Sequence, residues 1–169
     1  MPILIRPAVR ADVPGIVAIY NEAVLHTAAS YDYEPVTLEA RLIWFDSHQR
    51  DDLPIFVAED GGEVVGWSAL NSYHTKIGYQ FTVENSIYIA LDRCGQGIGK
   101  LLMPPLIEGA RSRKKRVILA GIDADNEASL RLHRAFGFEP AAHFKQVGWK
   151  FGRWLDVIYL QLLLDDEAR

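Results

Sequence analysis

The stretch Asp92-Arg93-Cys94-Gly95-Gln96-Gly97-Ile98-Gly99-Lys100 has a composition that can do chemistry. It follows a strand-like segment and opens a helix-like one. Glycines in such a turn let the backbone approach an anion, and the free N–H groups of the first helical turn point at it. The chemistry this suggests is the holding of a phosphate. Two familiar phosphate motifs do not fit. A P-loop ending at Gly99-Lys100 needs Gly at 94 and Ser or Thr at 101, where the chain has Cys94 and Leu101. The dinucleotide fingerprint starting at Gly95-x-Gly97 needs Gly at 100, where the chain has Lys100. Neither an ATPase nor a nicotinamide-dependent oxidoreductase is supported.

The elements that must position this loop are legible from periodicity. Residues 82–91 alternate as a strand, with Val83, Asn85, Ile87 and Ile89 on one side and Thr82, Glu84, Ser86 and Tyr88 on the other. A helix follows the glycine loop to about Arg113, although Pro104-Pro105 inside it predicts irregular first turns or a kink. Earlier, residues 2–7 read as a strand. Residues 12–26 read as an amphipathic helix with Pro14 in its first turn, and 37–48 as a second helix. Strands at 54–59 and 63–71 flank the hairpin signal Asp60-Gly61-Gly62, and a polar loop covers 72–81. After the glycine loop come a strand at 116–122 and a helix at 126–136, capped by Asn126 and ended by Gly137. Two last strands cover 138–147 and 153–164. This order predicts one α/β domain over residues 1–169, an antiparallel meander leading into parallel crossover units.

Composition agrees with one ordinary globular domain. The chain has 169 residues, 49% hydrophobic and 24% charged, and no low-complexity linker or internal repeat. Eighteen Lys+Arg against 22 Asp+Glu give −4, which does not suggest a nucleic-acid binder. Cys94 is the sole cysteine, so no internal disulfide or cysteine-based metal site forms, and a reducing compartment is expected. No apolar run approaches the roughly 20 residues of a spanning helix, and the N-terminus lacks signal-peptide character. The expectation is a cytoplasmic protein that binds neither membrane nor metal, with a frayed acidic end at Asp165-Asp166-Glu167.

Two motifs together carry a resemblance. Cys94-x-x-Gly97-x-Gly99 at the end of a strand is similar to the pyrophosphate motif Gln/Arg-x-x-Gly-x-Gly/Ala of the GNAT family of N-acetyltransferases. Asn126-x-x-Ser129-Leu130-x-Leu132-His133-x-x-Phe136-Gly137-Phe138 is similar to that family's second signature. Thr82-Val83-Glu84-Asn85-Ser86-Ile87-Tyr88-Ile89 and Val147-Gly148-Trp149-Lys150-Phe151-Gly152-Arg153-Trp154-Leu155-Asp156 resemble its phosphinothricin / methionine sulfoximine N-acetyltransferase branch. The resemblance spans nearly the whole chain. It implies a GNAT fold, a single mixed sheet of about seven strands flanked by about four helices. It also implies acetyl-CoA as co-substrate, a small amino acid analogue as amine acceptor, and a homodimer.

The resemblance also assigns roles. Glu84 becomes the general base, where an isolated strand Glu would read as a solvated carboxylate. His133 stands where relatives carry a Tyr that protonates the leaving thiolate; alone it reads as a helical histidine. Backbone groups of Ile87, Tyr88 and Ile89 are expected to polarise the thioester and pair with the pantetheine arm. Cys94, Gly95, Gln96, Gly97, Ile98, Gly99 and Lys100 are expected to hold the pyrophosphate. Arg93 supplies charge where Cys94 departs from Arg/Gln, and Asn126 meets the pantetheine. For the acceptor, the implied wall is Tyr31, Tyr73, His74, Thr75, Thr82, Val83 and Glu84. Relatives of this branch carry arginines in loop 72–81, where this chain has His74 and Gln80; neither reproduces bidentate carboxylate recognition. Trp149, Phe151, Trp154 and Tyr159 read as a core and dimer-interface cluster. Two alternatives stay open: an acceptor that is a peptide N-terminus or polyamine, and a non-catalytic acyl-CoA-binding module.

Overall fold

A computed structural model describes residues 2–164. Asp165-Asp166-Glu167, the expected frayed end, lies outside the described residues. The elements run β1 (Leu4–Pro7), α1 (Val13–His26), α2 (Leu38–Arg50), β2 (Ile55–Asp60), β3 (Glu63–Ser72), β4 (Thr82–Ile89), α3 (Ile98–Ser112), β5 (Val117–Asp123), α4 (Glu127–Ala135), β6 (Glu139–Lys150) and β7 (Arg153–Leu163). Seven strands form one sheet in the order β1-β2-β3-β4-β5-β7-β6. All neighbours are antiparallel except β4 and β5. This is the single mixed sheet with four helices that the resemblance implies.

Two apolar layers cover the two faces. On one, α1 and α2 bury Ile16, Ile19 and Phe45 against Val57, Trp67 and Ala69, with Tyr88 packed alongside. On the other, Met103, Leu106 and Ala110 of α3 and Leu130 of α4 pack on Val83, Ile118 and Leu160. The alternation along β4 therefore sorts its side chains between layers. Odd residues such as Val83 face α3 and α4; even ones such as Tyr88 face α1 and α2.

Three details depart from the sequence reading. Strand β4 stops at Ile89, and Leu91–Arg93 makes a short 3-10 turn before the glycine loop. Strand β6 runs on to Lys150, because an irregularity between Phe144 and Gly148, with Gln146 at φ 53°, lets the strand resume after its pairing slips. Helix α3 is continuous from Ile98 to Ser112 in spite of Pro104 and Pro105, so its first turns are not irregular. Neither proline can donate to the carbonyl four residues back. Leu102, Met103, Leu106 and Ala110 are fully buried, and that packing offsets the missing bonds.

Candidate active site

The site begins where β4 and β5 part. Their parallel register holds from Thr82↔Val117 to Glu84↔Leu119 and then ends. Both strands continue, β4 to Ile89 and β5 to Asp123. Between them opens a cleft of about 290 Å³ lined by residues 84–88 of β4 and 120–123 of β5, with Ala29, Asn71, Asn126 and His133.

The open edge of β4 presents unpaired backbone. Ala90 N donates to Val65 O at 3.0 Å, which sets the ladder's phase. Glu84, Ser86 and Tyr88 then direct N–H and C=O toward β3, opposite Asn71, Ala69 and Trp67. Asn85, Ile87 and Ile89 direct theirs toward the parting strands. The N–H expected from Tyr88 is thus engaged in the sheet, and those of Ile87 and Ile89 on either side are the ones turned outward. The Tyr88 ring stacks on Trp67 at 5.0 Å, and its hydroxyl donates to Ala29 O at 3.2 Å.

Glu84 reaches the cleft on the α1/α2 face. Burial raises its carboxyl above the usual carboxylate range, opposed by a donated bond from the Tyr159 hydroxyl at 3.4 Å. A Cβ on Gly121 would stand 3.1 Å from Glu84 Oε1 and 3.0 Å from the Tyr159 ring, so glycine there leaves the carboxylate its room. Beside Glu84, Asn71 Nδ2 donates to Ser86 Oγ at 3.0 Å and to Glu84 O at 3.2 Å. Asp123, at the C-terminal end of β5, is a second and buried carboxylate in the cleft. It accepts from the Tyr31 hydroxyl at 2.7 Å.

Asn126 and His133 line the cleft from α4, on the opposite face of the sheet. Asn126 Oδ1 accepts from Ser129 N at 3.1 Å, the expected cap, which leaves its NH2 free to donate. His133 is 3% exposed. Its Nδ1 faces Ser129 O at 2.8 Å and therefore carries the ring proton; its Nε2 accepts from Asn85 Nδ2 at 2.9 Å. Burial lowers its pKa. In this neutral tautomer Nε2 carries no proton.

The glycine loop follows β4 directly. Gly95 and Gly97 sit at φ 79° and 82°, a conformation that side-chained residues adopt at a cost, and Gly97 is the N-cap of α3. Gly99 has a packing reason as well, since a Cβ there would come within 2.8 Å of Leu132 Cδ2. Lys100 is exposed in the first turn, and Ile98 is buried beneath it. Gln96 Nε2 donates to Asp92 O at 3.4 Å. The Arg93 guanidinium, expected to add charge where Cys94 stands, pairs with Asp60 at 2.7 Å. The Cys94 thiol donates to Ala90 O at 3.5 Å, and burial raises its pKa.

The predicted acceptor wall is only partly assembled. Tyr31 stands beside the cleft through Asp123. Tyr73 and His74 are exposed and pack on Tyr79 of their own loop, and Thr75 is exposed in the same loop. None of these three lines the cleft, nor does half-buried Thr82. Val83 is 1% exposed within the α3/α4 core, so its side chain cannot face an acceptor. Asn71, Asp123 and Gly121 belong to the cleft although sequence patterning does not single them out. Asp123 carries a usable signal, as a carboxylate at the C-terminal end of a strand that pairs in parallel. Asn71, inside an apolar strand, carries none.

The chain is similar to several known proteins. The model of the acetyltransferase (GNAT) family matches residues 17–138. An L-methionine sulfoximine/L-methionine sulfone acetyltransferase of Pseudomonas aeruginosa is 46% identical over 162 residues, covering 95% of this chain and 94% of the relative. A phosphinothricin N-acetyltransferase of Streptomyces coelicolor is 35% identical over 160 residues, covering 93% and 94%. A Salmonella typhimurium acetyltransferase, solved with its cofactor acetyl-CoA, superposes with a TM-score of 0.95 at 42% identity, covering 99% of this chain and 96% of that one.

Proposed function

The chain belongs to the GNAT acetyltransferase family, and from that premise we propose that it transfers acetyl from acetyl-CoA to the amine of a small amino acid analogue of the methionine sulfoximine or phosphinothricin type. The observation that carries this reading is the parting of β4 and β5 at Glu84, which puts a carboxylate and unpaired backbone in one cleft, on the strand that leads into the glycine loop. Loop 94–100 and the first turn of α3 hold the pyrophosphate, with Lys100 beside it. The pantetheine arm pairs with the outward N–H and C=O groups of Ile87 and Ile89 and takes the NH2 of Asn126. One of those N–H groups faces the thioester oxygen as charge develops.

The acceptor enters from the α1/α2 face, between Glu84 and the Tyr31–Asp123 pair. Two carboxylates suit an amine that arrives as an ammonium ion. Glu84 takes its proton, directly or through one water, and its raised pKa makes it a stronger base than an exposed carboxylate. The nitrogen then bonds to the acetyl carbon, the C–S bond breaks, and the proton shed by the new amide nitrogen reaches the departing sulfur. No proton from His133 is needed.

The test is CoA release, read with a thiol reagent, across methionine sulfoximine, phosphinothricin, common amino acids, a short peptide and spermidine. Turnover of the first two supports the reading and shows that His74 and Gln80 permit carboxylate recognition. Turnover confined to the peptide or spermidine reassigns the acceptor. CoA binding without any turnover replaces the enzyme with an acyl-CoA-binding module.

A further inference from the structure

Lys150 is the last residue of β6 and only 4% exposed. A buried ammonium is costly unless its protons are all bonded. Here Nζ donates to Val24 O at 2.6 Å, Thr27 O at 2.8 Å and Ser30 O at 2.6 Å, using all three. These carbonyls belong to the C-terminal end of α1 and the turn beyond it. Helix ends leave such carbonyls unpaired and carry partial negative charge, so the cation fits on both counts. Among the described residues no carboxylate bonds the ammonium; backbone oxygens hold it.

That turn is a wall of the acceptor side. Ala29 lines the cleft, and Tyr31 holds Asp123. The same hairpin shapes it a second time. Gly148 lies on the same side of β6 as Lys150, and a Cβ there would come within 2.4 Å of the Tyr31 ring. Tyr33 donates to Trp149 O. Hence the β6–β7 hairpin, remote in sequence, fixes residues 27–33 in place.

We propose that Lys150 is a positioning residue for the amine acceptor: its carbonyl-caged ammonium holds the 27–31 turn against the Glu84 cleft and so sets acceptor affinity without touching the acceptor. The inference rests on the acetyl-transfer reading above. It predicts an asymmetry, because the turn borders the α1/α2 face, while the glycine loop lies beyond the end of β4 and α4 packs on the opposite face.

The experiment compares wild type with Lys150→Met, measuring KM for methionine sulfoximine, or for whichever amine the wild type turns over, and KM for acetyl-CoA. The expected result is an acceptor KM raised about tenfold or more, with the acetyl-CoA KM within about twofold of wild type. An unchanged acceptor KM overturns the proposal. So does a parallel rise of both constants, which marks a general loss of structure. Should the Met variant not fold, Lys150→Gln, which keeps two donors, is measured in the same way and decides between the same outcomes. A wild type inert toward every amine sinks the acetyl-transfer reading first, and this inference with it; that failure shows before any substitution is made.

Discussion

Glu84 holds a compromise that a single substitution exposes. Burial keeps its carboxyl pKa above the ordinary range, so the fold favours the protonated form while a base must be ionised. A carboxyl whose folded pKa is raised contributes stability at low pH and loses it as pH rises through the raised value. Glu84→Gln is therefore expected to raise Tm at neutral pH while lowering kcat by about 10²–10⁴-fold. In the wild type, kcat/KM should fall as pH drops through the raised pKa, and the variant's residual rate should lack that limb. Thermal melts and a pH–rate profile check both. His133 is the counter-case. Its Nδ1 proton is committed to Ser129 O, and Asn85 occupies Nε2, so His133→Gln should cost less than about tenfold in kcat and leave the shape of the pH profile unchanged. A loss of 10²-fold or more would restore the acid role. At this scale alternation makes legible only the side of the strand that Glu84 occupies; its role as a base comes from the resemblance. The state of His133 is not legible, because tautomers are set by partners 4 and 48 residues away in sequence.

Among the elements, α3 shows how packing overrides a local rule. Its prolines predict disturbed turns, yet the helix runs through them on a fully buried face. Pro104 is exposed, so replacing it removes no core contact. Pro104→Ala should restore a donor to the Lys100 carbonyl and raise Tm by several degrees, on the scale of about 2–4 °C per kcal/mol for a domain this size. A lower Tm by calorimetry would mean that the proline's fixed φ matters more than its lost bond. Element existence and order are readable from periodicity, punctuation and caps: Asn126 accepts the N-terminal bond that a cap should accept. The extension of β6 is not, since its irregularity at Gln146 depends on how β7 pairs with it. That extension matters, because it delivers Gly148 to Tyr31 and Lys150 to the carbonyls of Val24, Thr27 and Ser30.

For the molecule as a whole, no helix among the described residues is long and apolar enough to cross a membrane. At one edge of the sheet, β6 and its hairpin expose Phe144, Val147, Trp149, Phe151 and Trp154, each 45–59% accessible. An aromatic patch of this kind marks an interaction surface, and we propose that a second copy of the chain covers it. Light scattering should report twice the 19.0 kDa chain mass, and Trp154→Glu should shift it toward the monomer. A monomeric wild type would rule this out. From sequence Trp149, Phe151, Trp154 and Tyr159 read as core and interface together, because periodicity separates the faces of a strand but does not tell which face meets solvent.

For the proposed reaction, the parted strands also bear on the order of events in time. Glu84 opens to one face of the sheet, while Asn126 and His133 approach from the other. Two co-substrates seated from opposite sides do not have to take turns in one pocket. Nor does the cleft hold a thiol to carry the acetyl group between them, for Cys94 lies in the loop with its sulfur bonded to Ala90 O. Double-reciprocal plots of rate against amine at several acetyl-CoA concentrations should therefore intersect. Parallel lines would mean that the acetyl group rests on the protein before the amine ever arrives.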